Sequence, residues 1–187
     1  MAKERRGEFM NIYSHIKKAN EILATYVIFE QGTVNPLKVI EGIQQSWLHI
    51  EKFIKNTYPD WTKWLNDQLM QMNIEELVFS DDMVEESKRL IARMQVEREV
   101  KYYFDLYISL IGNFLIFHRS YEEGCDVCEG ELRYYTNLGN GHVVKECRTC
   151  RMVYSGQTGE RIGLPNDVVL RPSRKSELVR EGIIEDT

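Results

Sequence analysis

The four cysteines of this chain fall into two pairs, Cys125-Asp-Val-Cys128 and Cys147-Arg-Thr-Cys150, with eighteen residues between the pairs. No other pattern constrains the fold as strongly. Two residues between paired cysteines let both thiolates turn onto one metal ion, with the intervening backbone N–H groups aimed at the sulfurs. Two such pairs predict a closed four-sulfur site, Cys125, Cys128, Cys147 and Cys150, for one structural Zn2+. A catalytic zinc keeps a position open for water, and this donor set leaves none. An iron ion in a four-sulfur site would use the same ligands. Two disulfides would need an oxidising compartment, whereas paired CxxC motifs without other cysteines point to a reducing, cytoplasmic one. A redox CxxC sits at a helix start within an α/β pattern, which is absent here.

The insert between the pairs has the texture of a hairpin. Leu132–Thr136 and His142–Glu146 are strand-prone, and Asn140-Gly141 is a favoured turn between them. Met152-Val153-Tyr154 is expected to add a third strand. Residues 124–162, including the turn Thr158-Gly159-Glu160, resemble the zinc-ribbon family. One departure is Arg151, which stands after the second pair where ribbons often carry glycine. His142 lies between the pairs and is expected to be an exposed strand residue, because the four-sulfur shell is already full.

Upstream, apolar residues recur at helical spacing. A first helix is expected from about Glu4 to Gln31, stopped by Gly32–Pro36. A second runs from about Leu37 to Asn56 with Ile40, Ile43, Trp47 and Ile54 along one stripe. A third, carrying Trp61, Trp64, Leu65 and Leu69, is expected to be capped by Asp60. Ser80-Asp81-Asp82 signals the start of a long helix, which is expected to bend before Val100 or near Gly112. The twelve apolar-rich residues Leu106–Phe117 are too few for the roughly 20 that span a bilayer, so they read as a buried core helix and no membrane association is expected. The resulting fold class is α+β: an N-terminal all-helical bundle (1–122), a small C-terminal β zinc ribbon (123–163) and a partly extended tail (164–187), loosely packed or docking on a partner.

Charge narrows the function classes. The formal net charge is −5, without the basic excess that phosphate contacts usually demand. Zinc ribbons often bind nucleic acid, but this one has five basic residues against six acidic ones between Glu123 and Gly163. Its Tyr134, Tyr135 and Tyr154 therefore read more readily as strand-pairing aromatics than as a platform for bases. Glu75, Glu76, Asp81, Asp82, Glu85 and Glu86 form an acidic cluster. It reads first as a helix start with a solvated face, and second as a docking surface for a basic protein. The spacing of Asn113 and His118 resembles the Arg-x4-6-His motif of HEPN ribonucleases, with Asn in place of the Arg. No phosphate loop, metalloprotease motif or nucleophile elbow is present. These features imply a non-enzymatic protein that acts on a protein partner, such as an immunity-type inhibitor of a toxin or nuclease, or an accessory subunit. The alternative is a nucleic-acid-associated regulator or a degenerate HEPN-like ribonuclease.

Overall fold

Helices form where the sequence supplies both a stripe and a start signal. A computed structural model of the chain describes residues 2–26, 35–70, 73–119, 124–164 and 169–186. Helix α1 covers Ala2–Tyr26 and α2 covers Pro36–Thr57. The expected end of the first helix near Gln31 and its stop at 32–34 lie outside the described residues. Asn35 caps α2, its side chain accepting from the N–H groups of Leu37 and Lys38, and Pro36 occupies the first turn, where a missing N–H costs nothing. Helix α3, Pro59–Met70, begins in the same way. Asp60 therefore lies inside its first turn and is not its cap.

Ser80 performs the expected capping of α4 (Asp81–Val96): its Oγ accepts from Met83 N at 3.2 Å. The long apolar pattern then breaks at Glu97–Glu99, and α5 runs from Val100 to Leu115. The Glu97 carboxylate accepts from the N–H groups of Arg98 and Glu99, both at 2.8 Å, and so satisfies donors at the new helix start. Gly112 continues the helix without interruption.

The chain divides into two compact units, Met1–Met72 with Ser87–Ile111, and Asn73–Glu86 with Gly112–Thr187. Helices α4 and α5 each contribute to both. The boundary expected between 122 and 123 falls within 120–123, outside the described residues. The helical unit buries Leu23 of α1, Ile43, Trp47 and Ile50 of α2, Leu65 of α3, Met94 of α4 and Tyr107 of α5. A Cβ on Gly42 would lie 2.7 Å from the Cβ of Tyr26, so glycine is what lets α1 and α2 approach at that point.

The second unit contains a five-stranded antiparallel sheet, ordered β4-β3-β2-β1-β5. Its strands are β1 (Leu132–Asn137), β2 (Val143–Cys147), β3 (Val153–Ser155), β4 (Arg161–Gly163) and β5 (Leu170–Pro172). The β1–β2 register pairs Leu132 with Cys147 and Tyr134 with Lys145. The connecting loop is longer than a two-residue Asn-Gly turn: Asn137 N donates to His142 O, and Gly141, at φ 74°, closes the loop onto Asn137 O.

The tail is not a loose end. Strand β5 pairs with β1, and a short helix α6 (Lys175–Arg180) buries Leu178 completely. Leu178 shares a core with Met83, Phe117, Tyr134 and Val143, against which Ile183 and Ile184 also pack. Glu177 ties the segment together, accepting from Thr136 Oγ1 at 2.8 Å and from Arg174 N at 2.9 Å while pairing with Arg171.

Candidate metal centre

The two cysteine turns have the same backbone. In the first, Cys125 N donates to Gly130 O at 2.9 Å and Glu129 N donates to Cys125 O at 2.7 Å. In the second, Cys147 N donates to Met152 O at 2.8 Å and Arg151 N donates to Cys147 O at 3.0 Å. Each turn therefore places one residue just past its second cysteine in the left-handed region: Glu129 at φ 58° and Arg151 at φ 64°. That conformation costs a residue with a Cβ roughly 1–2 kcal/mol. The departure from glycine noted at Arg151 thus occurs twice, since Glu129 holds the equivalent position after the first pair.

These turns bring all four sulfurs within 4.8 Å of one another. Between the pairs, Cys125 Sγ lies 3.5 Å from Cys150 Sγ and Cys128 Sγ lies 3.4 Å from Cys147 Sγ. An ion bonded to four sulfurs at about 2.3 Å in a tetrahedron would hold them about 3.8 Å apart. The donor set and its spacing therefore suit a single metal ion. Cys125 and Cys147 are buried, Cys150 is half-buried and Cys128 is exposed, so the cluster has one face toward solvent. Gly130 lets the first turn sit against the second: a Cβ there would meet Thr149 Oγ1 at 2.8 Å and Cys147 Sγ at 3.0 Å.

Backbone donors reinforce the sulfurs. Cys125 Sγ accepts from the N–H groups of Val127 and Cys128, and its environment also includes Tyr154 Oη at 3.1 Å. Burial pushes the Cys125 thiol up, but these donors outweigh it and bring the group down to about 6. At Cys150 the Met152 N–H favours the thiolate, yet desolvation and the other three sulfurs push this thiol up to about 12. Four thiolates at this spacing repel one another, and a shared cation removes that repulsion.

A layer of side chains surrounds the cluster that the sequence pattern did not reveal. The Tyr154 hydroxyl donates to Asp126 Oδ1 at 2.5 Å, and Arg161 clamps the same carboxylate, with Nη2 2.7 Å from Oδ2. Strand pairing creates this arrangement, since Tyr154 lies opposite Arg161 in the β3–β4 register. Leu132 and Met152 pack against the cysteines from β1 and from the residue before β3.

The remaining sequence candidates lie elsewhere. His142 is exposed and its Nδ1 lies 3.3 Å from Glu181 Oε1. Asn113 donates to Met83 O at 2.6 Å, and both residues belong to the second unit. The His118 side chain is fully buried, with Nδ1 3.1 Å from Ile116 O and Nε2 3.8 Å from Glu131. Burial holds this imidazole below its ordinary range, against the opposing pull of Glu131. Tyr134 and Tyr154 are buried and Tyr135 is half-buried. Within the acidic cluster, Glu75 and Glu85 are exposed and Asp82 and Glu86 half-buried. Glu76 is taken up internally, accepting from Ser176 N at 3.1 Å and Ser176 Oγ at 2.8 Å.

No protein-family model matches the chain, and neither the curated proteins nor the solved structures contain a significant match. Among the described residues, no helix is long and apolar enough to cross a membrane.

Proposed function

We propose that the four cysteines hold one structural Zn2+ in a zinc-ribbon module, and that the protein acts without catalysis by binding another protein. The partner would be a basic toxin or nuclease that this chain inhibits, or a larger complex in which it is an accessory subunit. The observation that carries the reading is the sulfur cluster: every coordination position is taken by a thiolate, so the ion holds shape and performs no chemistry. Two further observations support it. The ribbon tyrosines Tyr134 and Tyr154 are used as core, and the acidic Glu75, Asp82 and Glu85 belong to the same compact unit as the metal centre.

Metal analysis should return about one zinc per chain. Affinity purification from the native host should return a stoichiometric basic protein, and Glu75→Lys combined with Glu85→Lys should weaken its retention. Loss of neither partner nor affinity in that variant would remove the acidic surface from the reading.

A second reading, a nucleic-acid-associated ribbon, draws on Arg148 and Arg151, whose side chains are 45% and 61% exposed beside the second cysteine pair. Titration against short RNA and DNA separates the two, because tight binding with a steep salt slope would favour this one. Its ribonuclease form asks catalysis of His118, a fully buried side chain.

A further inference from the structure

The four sulfurs share one cluster but not one exposure. Cys125 and Cys147 are buried and Cys150 is half-buried, whereas Cys128 is exposed. Its neighbours Asp126, Val127 and Glu129 are exposed as well, so solvent reaches the first turn from Asp126 to Glu129. Leu132 and Tyr154 share an apolar cluster with Cys125 and Cys147, and Cys150 and Met152 pack against it. Cys128 is outside that packing. The susceptibility of a cysteine to oxidation follows its thiolate character and its access to solvent. A shared metal ion holds all four sulfurs as thiolates, which leaves access to choose among them, and access favours Cys128.

The fold also sets which sulfur can respond. Cys147 Sγ lies 3.4 Å from Cys128 Sγ, and closing that gap to the ~2.0 Å of a disulfide asks each sulfur to move roughly 0.7 Å. The other two sulfurs are held by backbone donors. Cys125 Sγ accepts from the N–H groups of Val127 and Cys128, and Cys150 Sγ accepts from Met152 N–H. A thiolate stabilised by such donors is a weaker nucleophile.

We infer that Cys128 is a modification site for hydrogen peroxide and that Cys147 resolves it, so that oxidation releases the metal ion and reduction restores its ligands. The Cys128 thiolate gives an electron pair to one peroxide oxygen, the O–O bond breaks and hydroxide leaves, which forms a sulfenic acid. The Cys147 thiolate then attacks the Cys128 sulfur, the S–O bond breaks and a second hydroxide leaves. The two sulfurs have lost two electrons to the peroxide, and both hydroxides take up protons and end as water. Two of the four donors are then consumed, too few of them remaining for a closed site. The new bond joins the two turns and keeps them together, so a reductant recovers the full ligand set. This inference rests on the structural-zinc reading, which metal analysis of the untreated chain tests separately.

The test is hydrogen peroxide treatment of the metal-loaded full chain, read by zinc release to a chromophoric chelator and by mass spectrometry of trapped cysteines. Dimedone, which captures sulfenic acids, should label Cys128 first. Without dimedone, peptide mapping should find a Cys128–Cys147 disulfide, and a phosphine reductant followed by added Zn2+ should restore the bound ion. Cys128→His keeps a nitrogen ligand in place of the exposed sulfur and should slow release roughly tenfold, whereas Cys150→His should change it by less than about threefold. If the histidine variants fail to fold, the order of dimedone labelling and the disulfide map of the parent chain decide the matter. A chain without zinc before treatment overturns the metal reading and this inference with it. Zinc retained through treatment, a first label on another cysteine, a different disulfide, or release from Cys128→His at the parent rate would each overturn the peroxide site alone.

Discussion

The helical unit and the sheet-bearing unit bury polar atoms in unlike ways. In the helical unit the buried polar groups are neutral and paired locally across helices. Tyr107 Oη meets Ser46 Oγ at 2.5 Å and donates to Ile43 O, and Trp47 Nε1 donates to Asn66 Oδ1 at 2.6 Å. These contacts decorate a large apolar core that would exist without them. In the sheet-bearing unit, Arg133, Lys145, Glu146 and His118 are buried along with two of the four thiols. Among the described residues, two of its apolar clusters are small, one around Met83 and Leu178 and one around the cysteines. A unit built in this way cannot rely on burial alone, because small apolar clusters rarely offset the entropy of ordering the chain. The difference predicts where each unit is vulnerable.

The largest effect should come from the metal centre. On the proposed zinc reading, chelation of the ion, or Cys147→Ala, should unfold the cysteine-bearing sheet while most helical signal survives, since structural zinc sites contribute on the order of 10 kcal/mol to folding. Circular dichroism together with amide exchange on β1 to β3 checks this. Helical loss as large as sheet loss would mean that the two units do not differ in the way argued. Trp47→Ala is the converse experiment. It should cost the helical unit about 3–5 kcal/mol in a denaturant titration and leave metal stoichiometry unchanged.

The two cysteine turns sharpen the comparison at finer scale, because they share a backbone but not a surrounding. Glu129→Gly relieves a left-handed residue whose side chain is exposed, and should stabilise the metal-bound protein by about 1 kcal/mol. Arg151→Gly relieves the same strain but removes the partner of Glu146, which is buried and lies 2.6 Å away. Burial already raises the Glu146 carboxyl above its ordinary range, and Arg151 opposes that shift. The arginine variant should therefore be neutral or destabilising at pH 7. It should recover as the pH falls into the range where Glu146 takes up a proton. Equal gains from both substitutions would remove the Glu146 contact from the account.

The smallest expected effect is at His118. Its folded-state affinity for a proton is reduced by burial, so the unfolded chain binds more protons and stability falls as the pH drops below about 6.5. Replacing it by Gln should flatten the loss of stability that begins below about pH 6.5 in the parent protein. The acid loss from Glu76 and Glu177 should persist below about pH 4.5. Both carboxyls are held below their ordinary range, Glu76 by the Ser176 donors, and Glu177 because its Arg171, Arg174 and Thr136 partners outweigh burial. An unchanged pH profile would show that His118 does not titrate on unfolding.

Features with a local cause were legible in the sequence. The Ser80 cap, the stripe of α2, strands β1 and β2 and the proximity of the four cysteines all follow from residues within a few positions of one another. Strand β3 is equally short but carries Val153 and Tyr154, whereas β4 has one apolar residue, Ile162, between Arg161 and Gly163, and β5 ends on Pro172, so neither of these two carried a strand signal. Asp60 was assigned to a cap because its side chain suits one, while Pro59 begins the helix with a backbone already set for it. The tail was expected to be partly extended with a short helix after Ser176, and loose or docking on a partner because chain ends commonly fray; nothing near Leu178 and Ile183 in sequence signals their burial. Their partners, Met83 and Tyr134, lie far back in the chain.

The sequence by itself determined that four thiols would meet, because CxxC spacing acts through the backbone of a single turn and a shared ion would reward bringing two turns together. Only the tertiary structure decided what surrounds them. Tyr154 reaches Cys125 and Asp126 across 29 and 28 residues of chain, and Lys145 is enclosed by strands on both sides. Such contacts depend on strand register, and register is settled by the packing of the whole sheet and not by any short segment of it.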